Sequence, residues 1–191
     1  MALTFDDGYA CLYDTVLPVL QAENVTAMTY VNAGWMGECE KTRKASNPDL
    51  GHYLGETFLT WDEVKILEKQ GWEIGSHGVE HFDLTQQPDR IIQEELIYSK
   101  SIIEERLDKP CSHFAYTFGN HNVLLQKSVK QAGYQYAVAA HHEPLRKKNN
   151  AMALPRLNIE KDYSMEDFKN IVQGKWDFLG AIHRVKRMIN R

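Results

Sequence analysis

Thr4-Phe5-Asp6-Asp7-Gly8 closes a short apolar run at the start of the chain, and His77-Gly78-Val79-Glu80-His81 follows about seventy residues later. Two adjacent carboxylates at the end of a strand point to opposite sides, and the glycine after them permits the sharp turn that directs both outward. One carboxylate can then ligate a metal ion while its neighbour transfers a proton, as hydrolysis by a metal-activated water requires. The two stretches together predict a divalent-metal site.

The histidine pair supplies two ligands of that site. His77 and His81 are four positions apart and follow a predicted strand, so both imidazoles can reach one cation. Zn²⁺ accepts imidazole nitrogen and carboxylate oxygen, and catalytic sites use three protein ligands plus water, so Asp7 is the expected third ligand. Each stretch alone has an ordinary interpretation, a surface histidine pair or an Asp-Gly turn. Their occurrence together favours the metal site.

Composition indicates one globular domain over residues 1–191, because 43% of the residues are apolar and 25% are charged. The net charge of −4 provides no general attraction to nucleic acid or anionic membranes. The sequence contains no bilayer-spanning apolar run and no signal-peptide pattern, so we expect a cytoplasmic protein. Only three residues precede Thr4, which leaves open a trimmed N-terminus and, in that case, export. Three widely spaced cysteines are expected to be free thiols, mostly buried: Cys11, Cys39 and Cys111.

Strand-like and helix-like segments alternate, which favours an α/β fold with a parallel sheet. We expect a distorted or incomplete (β/α) barrel whose strand ends gather the acids and histidines at one rim. The first predicted strand ends at Asp6-Asp7. The other five predicted strands cover Val25–Val31, Trp72–Ser76, His113–Tyr116, Tyr134–Ala139 and Leu154–Ile159. The predicted helices cover Tyr13–Ala22 with a kink or late start at Pro18, Thr60–Gln70, Pro88–Lys109, Val123–Ala132, a stretch from Ser164, and Trp176–Ile189.

The motifs resemble those of the polysaccharide deacetylases of carbohydrate esterase family 4, the nodulation-type deacetylase homology domain. Thr4–Gly8 is similar to the first motif of that family letter for letter, and Ser76–His81 matches the second. Phe114-Ala115-Tyr116-Thr117-Phe118-Gly119 resembles the Phe-Ala-Tyr-Pro-Tyr/Phe-Gly third motif of one branch. The resemblance extends to Val16-Leu17-Pro18-Val19-Leu20, Leu59-Thr60-Trp61 and Leu154-Pro155-Arg156.

The resemblance implies a barrel of the polysaccharide deacetylase type that removes N-acetyl groups from an amino-sugar glycan. It implies that Asp7, His77 and His81 hold a divalent metal, usually zinc. It also implies that Asp6 is the general base and that the backbone N–H of Phe118 stabilises the oxyanion.

Three departures from the family pattern bear on the mechanism. Thr117 replaces the proline of the third motif, which loosens that turn. The arginine that orients the catalytic acid has no counterpart beside Phe114, so Arg156 is either its substitute or a packing or surface residue. The Leu-x-His segment that supplies the general acid is absent. Two loop histidines could approach the site, His52 and His121, whereas His113 is expected to be structural and His141, His142 and His183 to lie on the surface.

Two alternatives to an N-deacetylase remain. One is a hydrolase of the same kind acting on O-acetyl groups or on a small amide. The other is a catalytically silent carbohydrate-binding module, although such a module has no need to retain Asp6 beside Asp7. The long loop from Asn32 to Thr57, which contains Trp35 and Tyr53, is either a wall of a sugar-binding groove or a surface excursion.

Overall fold

The protein, described here by a computed structural model covering residues 2–160, 162–178 and 180, contains one six-stranded parallel sheet. Each strand pairs with the next in chain order. The strands are β1 (Thr4–Phe5), β2 (Met28–Val31), β3 (Glu73–Ser76), β4 (His113–Ala115), β5 (Tyr136–His142) and β6 (Leu154–Arg156). The α-helices are α1 (Leu17–Ala22), α2 (Trp61–Lys69), α3 (Asp89–Leu107), α4 (Val123–Gln131) and α5 (Met165–Val172).

The sheet curls into an incomplete barrel. In the described part of the chain β1 and β6 share no hydrogen-bonded ladder, so the barrel stays open between them. Side chains bridge this opening: Arg156 on β6 donates to Thr4 Oγ1 on β1 at 3.3 Å and to the carboxylate of Asp6. The prediction of a distorted or incomplete (β/α) barrel is therefore confirmed.

The two faces of the sheet pack differently. A small apolar cluster of Tyr30, Ala115 and Val138 fills the concave side. Gly75 belongs to this side, since a Cβ there would lie 2.5 Å from the Tyr30 ring. The other face packs against the helices in a larger cluster to which α3 contributes the fully buried Leu96. Burying a side chain of that size stabilises the fold by about 1.5–3 kcal/mol, so the helices hold the sheet from outside.

The long loop from Asn32 to Thr57 contains only two short 3-10 turns, and it is fastened to the start of α2. The predicted capping box is present, because Thr60 Oγ1 accepts the Glu63 N–H at 3.3 Å and Glu63 Oε2 accepts the Thr60 N–H at 2.8 Å. Arg43 of the loop donates to both Glu63 carboxylate oxygens at 2.6 and 3.0 Å. The loop is thereby anchored to a helix that packs on the sheet.

Several element boundaries differ from the predicted ones. The chain forms a π-helical turn over Leu12–Val16, and α1 begins only at Leu17, with Pro18 in the first turn where its missing N–H leaves no bond unmade. Strand β5 continues past Ala139 to His142 because residues of β6 pair with it. The predicted helix Trp176–Ile189 lies almost wholly outside the described residues.

The expectation for the cysteines was wrong in part. Cys11 and Cys39 are exposed free thiols, and only Cys111 is buried. None of the helices in the described part of the chain combines the length and the apolar character needed to cross a bilayer.

Candidate active site

The three predicted metal ligands converge at the carboxyl-terminal edge of the sheet. Asp7 directly follows the β1 end, His77 follows β3, and His81 lies four residues further in the same loop. Asp7 Oδ1 lies 3.4 Å from His77 Nε2 and 3.2 Å from His81 Nε2. Among the histidine, cysteine, aspartate and glutamate side chains of the described residues, this is the one group of three or more whose ligand atoms all lie within 4.8 Å of one another.

Hydrogen bonds on the far side of each ring aim the imidazoles at Asp7. His77 Nδ1 donates to the Ala115 carbonyl at 2.8 Å, and His81 Nδ1 donates to the Leu50 carbonyl at 2.6 Å. Because a carbonyl can only accept, Nδ1 carries the proton of each neutral ring and Nε2 keeps its lone pair toward Asp7, whereas a protonated ring also donates from Nε2 to Asp7. The long loop therefore contributes to the site through Leu50.

This donor set fits a divalent cation. One carboxylate and two Nε2-directed imidazoles are ligands that Zn²⁺ accepts, and bonds of about 2.0–2.2 Å to a shared ion require ligand atoms separated by roughly 3–3.5 Å. The observed separations of 3.2 and 3.4 Å lie in that range. The residues present therefore fit a divalent metal ion.

The backbone adopts unfavourable conformations at this site. Asp7 and His81 have positive φ angles of 72° and 63°, in the left-handed region that costs a residue with a Cβ about 1–2 kcal/mol. Such conformations persist where the surrounding contacts impose them, and they cluster at functional sites. Here both of them belong to candidate metal ligands.

Charges set the protonation of the ligands. Burial by itself raises the pKa of Asp7, but the hydrogen bond from His81 and the charges of both histidines lower that pKa to about 2. Burial lowers the pKa of His77, whereas the hydrogen bond and charge of Asp7 raise the pKa of His81 despite burial. Asp7 is thus a carboxylate throughout the neutral range, as a ligand must be.

Asp6 is held by Arg156 rather than by the candidate metal ligands. The two guanidinium nitrogens Nη1 and Nη2 lie 2.6 and 2.7 Å from the two Asp6 carboxylate oxygens. Burial by itself raises the pKa of Asp6, but the charge and hydrogen bonds of Arg156 hold it below its usual value. Of the two interpretations of Arg156, the structure places it on Asp6 rather than on the surface.

Tyr9 is a functional candidate that the sequence analysis missed. Its hydroxyl accepts the Tyr53 N–H at 2.9 Å and helps to lower the pKa of Asp7, so it lies between a metal ligand and the long loop. The available signal was its place directly after Asp-Asp-Gly, where a strand end turns back over the site.

Phe118 lies beside the ligands in a strained turn. Its φ of 56° lies in the left-handed region. The residue is 52% exposed, and its ring packs edge-on to the His81 ring with 5.0 Å between centroids. A Cβ on Gly51 would lie 2.5 Å from this ring, so glycine is required there. The turn over Thr117–Gly119 forms although proline is absent from it.

Of the two loop histidines, His52 does reach the site. Its ring packs 4.7 Å from that of His81, and its Nδ1 accepts the Asn47 N–H at 3.2 Å. Burial and then the charge of His81 lower its pKa to about 4, so His52 is neutral at pH 7. Trp35 packs against the same ring at 4.7 Å, whereas Tyr53 is 57% exposed. Tyr53 is therefore the more exposed of the two loop aromatics, and Trp35 is partly buried.

His121 and His141 form a second histidine group near β5. His121 Nε2 lies 3.2 Å from His141 Nε2, and Gln126 bonds to His121 Nδ1 at 2.9 Å. His142 is only 2% exposed, so the prediction that it lies on the surface was wrong. The reason is that β5 extends through His142 and pairs with β6. His183 lies outside the described residues.

A comparison with protein families decides the relationship. The family model described as "Polysaccharide deacetylase" matches residues 1–137. The chain belongs to the polysaccharide deacetylase family. The resemblance expected from the three motifs is therefore confirmed.

Individual deacetylases are more distant. The Bacillus subtilis (strain 168) protein YxkH, named provisionally as a polysaccharide deacetylase, is 24% identical over 166 residues, which cover 87% of this chain and 53% of YxkH. A Bacillus cereus peptidoglycan-N-acetylglucosamine deacetylase is 26% identical over 143 residues, 75% of this chain and 57% of that protein. This deacetylase-family chain thus spans little more than half the length of these two relatives.

The fold agrees with solved deacetylase structures. The Streptococcus pyogenes deacetylase PplD, solved in complex with acetate, superposes with a TM-score of 0.74 at 22% identity, covering 89% of this chain and 69% of that chain. At this identity the likeness establishes the fold, and the chemistry has to be argued from the residues of this chain.

Proposed function

We propose that this member of the polysaccharide deacetylase family is a metal-dependent hydrolase that removes N-acetyl groups from an amino-sugar glycan. The observation that supports it most is the convergence of Asp7, His77 and His81 beside a separate carboxylate, Asp6, that an arginine holds ionised. Zn²⁺ is the ion we expect, because the donors are two imidazoles and one carboxylate.

In the proposed reaction Asp7, His77 and His81 hold the cation. When bound, such an ion supplies Lewis acidity that polarises the acetamide carbonyl and lowers the pKa of water. Asp6 accepts the proton of the attacking water, for which it has to be ionised, and Arg156 keeps it so. The Phe118 backbone N–H is the proposed donor to the developing oxyanion.

The leaving amine needs a proton when its C–N bond breaks. His52 is neutral at pH 7 because its pKa is about 4, so it holds no proton beyond that of its neutral ring. We assign the proton to Asp6, which has just received it from water. Since Arg156 keeps the pKa of Asp6 low, protonated Asp6 is a strong donor, and the products are acetate and a free amine.

An exposed aromatic rim supports a sugar substrate. Phe118 and Tyr53 expose their rings near the ligand group, and the Tyr53 N–H donates to the Tyr9 hydroxyl. Flat apolar ring faces of this kind suit the apolar face of a pyranose. The Bacillus cereus relative is named for N-acetylglucosamine in peptidoglycan, which makes N-acetylglucosamine oligomers the first substrate to test.

The deciding experiment measures bound metal by elemental analysis together with acetate release from N-acetylglucosamine oligomers, with and without a chelator. The proposal expects about one bound divalent ion per chain and acetate release that the chelator abolishes and Zn²⁺ restores. Acetate release only from an O-acetylated glycan would make the protein an esterase. Bound metal with no release from either substrate would support the silent carbohydrate-binding module instead.

A further inference from the structure

Glu95 on α3 is a buried carboxylate that the mechanism above does not use. It is only 5% exposed, and none of the ion pairs among the described residues includes it. A buried charge without a basic partner is costly, and such groups occur where hydrogen bonds compensate them. The partners of Glu95 therefore indicate what it does.

Both partners lie in the loop that joins the two candidate metal histidines. Glu95 Oε2 accepts the Val79 N–H at 2.7 Å and the Glu80 N–H at 3.1 Å. These residues immediately precede His81, whose φ is left-handed. The carboxylate thus binds the backbone at the point where the loop turns toward the ligand group.

Gly78 leaves the space for this carboxylate. A Cβ at Gly78 would lie 2.9 Å from Glu95 Oε2, and its φ of +86° is one that side chains disfavour. Gly78 is therefore matched in shape to Glu95, and the two residues that follow it donate to the same carboxylate.

Helix α3 is fastened next to His77 as well. Ser99, one turn after Glu95, donates to the Glu95 carbonyl at 2.6 Å, and Ser76 Oγ donates to Ser99 Oγ at 2.8 Å. Ser76 is the last residue of β3 and directly precedes His77. The start and the end of the loop between His77 and His81 are thus hydrogen-bonded to the same turn of α3.

We propose that Glu95 is a positioning residue that fixes His81 relative to His77 by binding the Val79–Glu80 backbone, and so sets the affinity of the site for a divalent ion. The proposal rests on the metal-dependent function proposed above. Outer groups that orient metal ligands typically change affinity by about 10–100-fold when removed.

The geometry distinguishes between substitutions. Both N–H groups converge on a single oxygen, so the amide oxygen of glutamine can replace it without the charge. Alanine offers no acceptor. Glu94, the preceding residue, is partly exposed and pairs with Arg90 on the same helix, so Glu94→Ala removes a carboxylate without touching the loop.

The test measures Zn²⁺ affinity of the whole protein by competition with a chromophoric chelator, and amide exchange of Val79 and Glu80 in the metal-free protein. Glu95→Ala is expected to weaken Zn²⁺ binding about 10–100-fold and to accelerate exchange of both amides. Glu95→Gln should keep affinity within about threefold of wild type, and Glu94→Ala should match wild type. The Co²⁺ absorption spectrum should change in Glu95→Ala alone.

Equal Zn²⁺ affinity of wild type and Glu95→Ala, with both proteins folded by urea titration, would overturn the proposal. Unchanged exchange at Val79 and Glu80 in Glu95→Ala would overturn it as well, and this readout needs no metal. Failure of the proposed function is separate, because wild type would then bind no divalent ion or release no acetate, and neither result bears on amide exchange of Val79 and Glu80 in Glu95→Ala.

Discussion

Arg156 and Asp6, 150 positions apart in the chain, form a two-pronged ion pair with N–O distances of 2.6 and 2.7 Å. The pair joins the end of β6 to the end of β1, the two edge strands of the sheet, which do not pair with each other. Arg156 also lies over the Tyr30 ring at 5.7 Å, inside the curl of the sheet. One guanidinium thereby bridges the open edge of the barrel and keeps the proposed general base ionised.

Removing this guanidinium should shift the acidic limb of the activity profile. Burial raises the pKa of Asp6 and Arg156 provides the largest lowering effect, so the pKa of Asp6 should rise in Arg156→Met. A base works only when ionised, so activity should be lost at higher pH than in wild type. The measurement is kcat/KM for acetate release against pH at saturating Zn²⁺.

Arg146 provides the control for this shift, because it is an exposed arginine in the loop between β5 and β6. Arg146→Met should leave the acidic limb where wild type has it. If Arg156→Met and wild type lost activity at the same pH, Arg156 would not tune Asp6.

Asp6 and His77 should separate metal binding from turnover. Asp6→Asn removes the proton acceptor but no ligand, so we expect retained metal and a loss of turnover of about 10²–10⁴-fold. His77→Ala removes a ligand and should lose both. Elemental analysis and acetate release on the same samples test this, and full turnover in Asp6→Asn would refute the role of Asp6 as base.

Tyr9→Phe should weaken metal binding without unfolding the protein. The variant loses the hydroxyl that accepts the Tyr53 N–H and helps to lower the pKa of Asp7, and loss of such an outer contact typically lowers affinity by about tenfold or more. Tyr13→Phe, in the neighbouring π-helical turn, removes a hydroxyl at the same end of the chain and should match wild type. Equal Zn²⁺ affinity of wild type and Tyr9→Phe would contradict the expectation.

The order of strands and the ligand group could be predicted from the sequence because both depend on local patterns. Asp7 follows one predicted strand and the His77–His81 loop follows another, and the carboxyl ends of parallel strands meet at one edge. The capping box at Thr60 was equally local, since its two partners are three residues apart. These features could be predicted because the residues that define each of them lie close together in the sequence.

The parts that could not be predicted depend on tertiary contacts. Whether Arg156 meets Asp6 depends on how far six strands curl, and no local pattern encodes that curl. Strand β5 includes His142 because β6 pairs with it, against the polarity of its last residues. The bonds that Glu95 makes to the histidine loop likewise depend on how α3 docks on β3.

The strain at Phe118 can be measured with two substitutions that remove the same ring. Phe118→Ala keeps a Cβ at a φ of 56°, whereas Phe118→Gly adopts that angle freely. We therefore expect the glycine variant to exceed the alanine variant in free energy of unfolding by about 1 kcal/mol. Urea unfolding of both variants measures the difference directly. Both variants keep the backbone N–H proposed as oxyanion donor, so their deacetylase activities should be similar to each other. A reduction of both relative to wild type would be assigned to the lost ring. An alanine variant as stable as the glycine variant would show that the turn stores no strain.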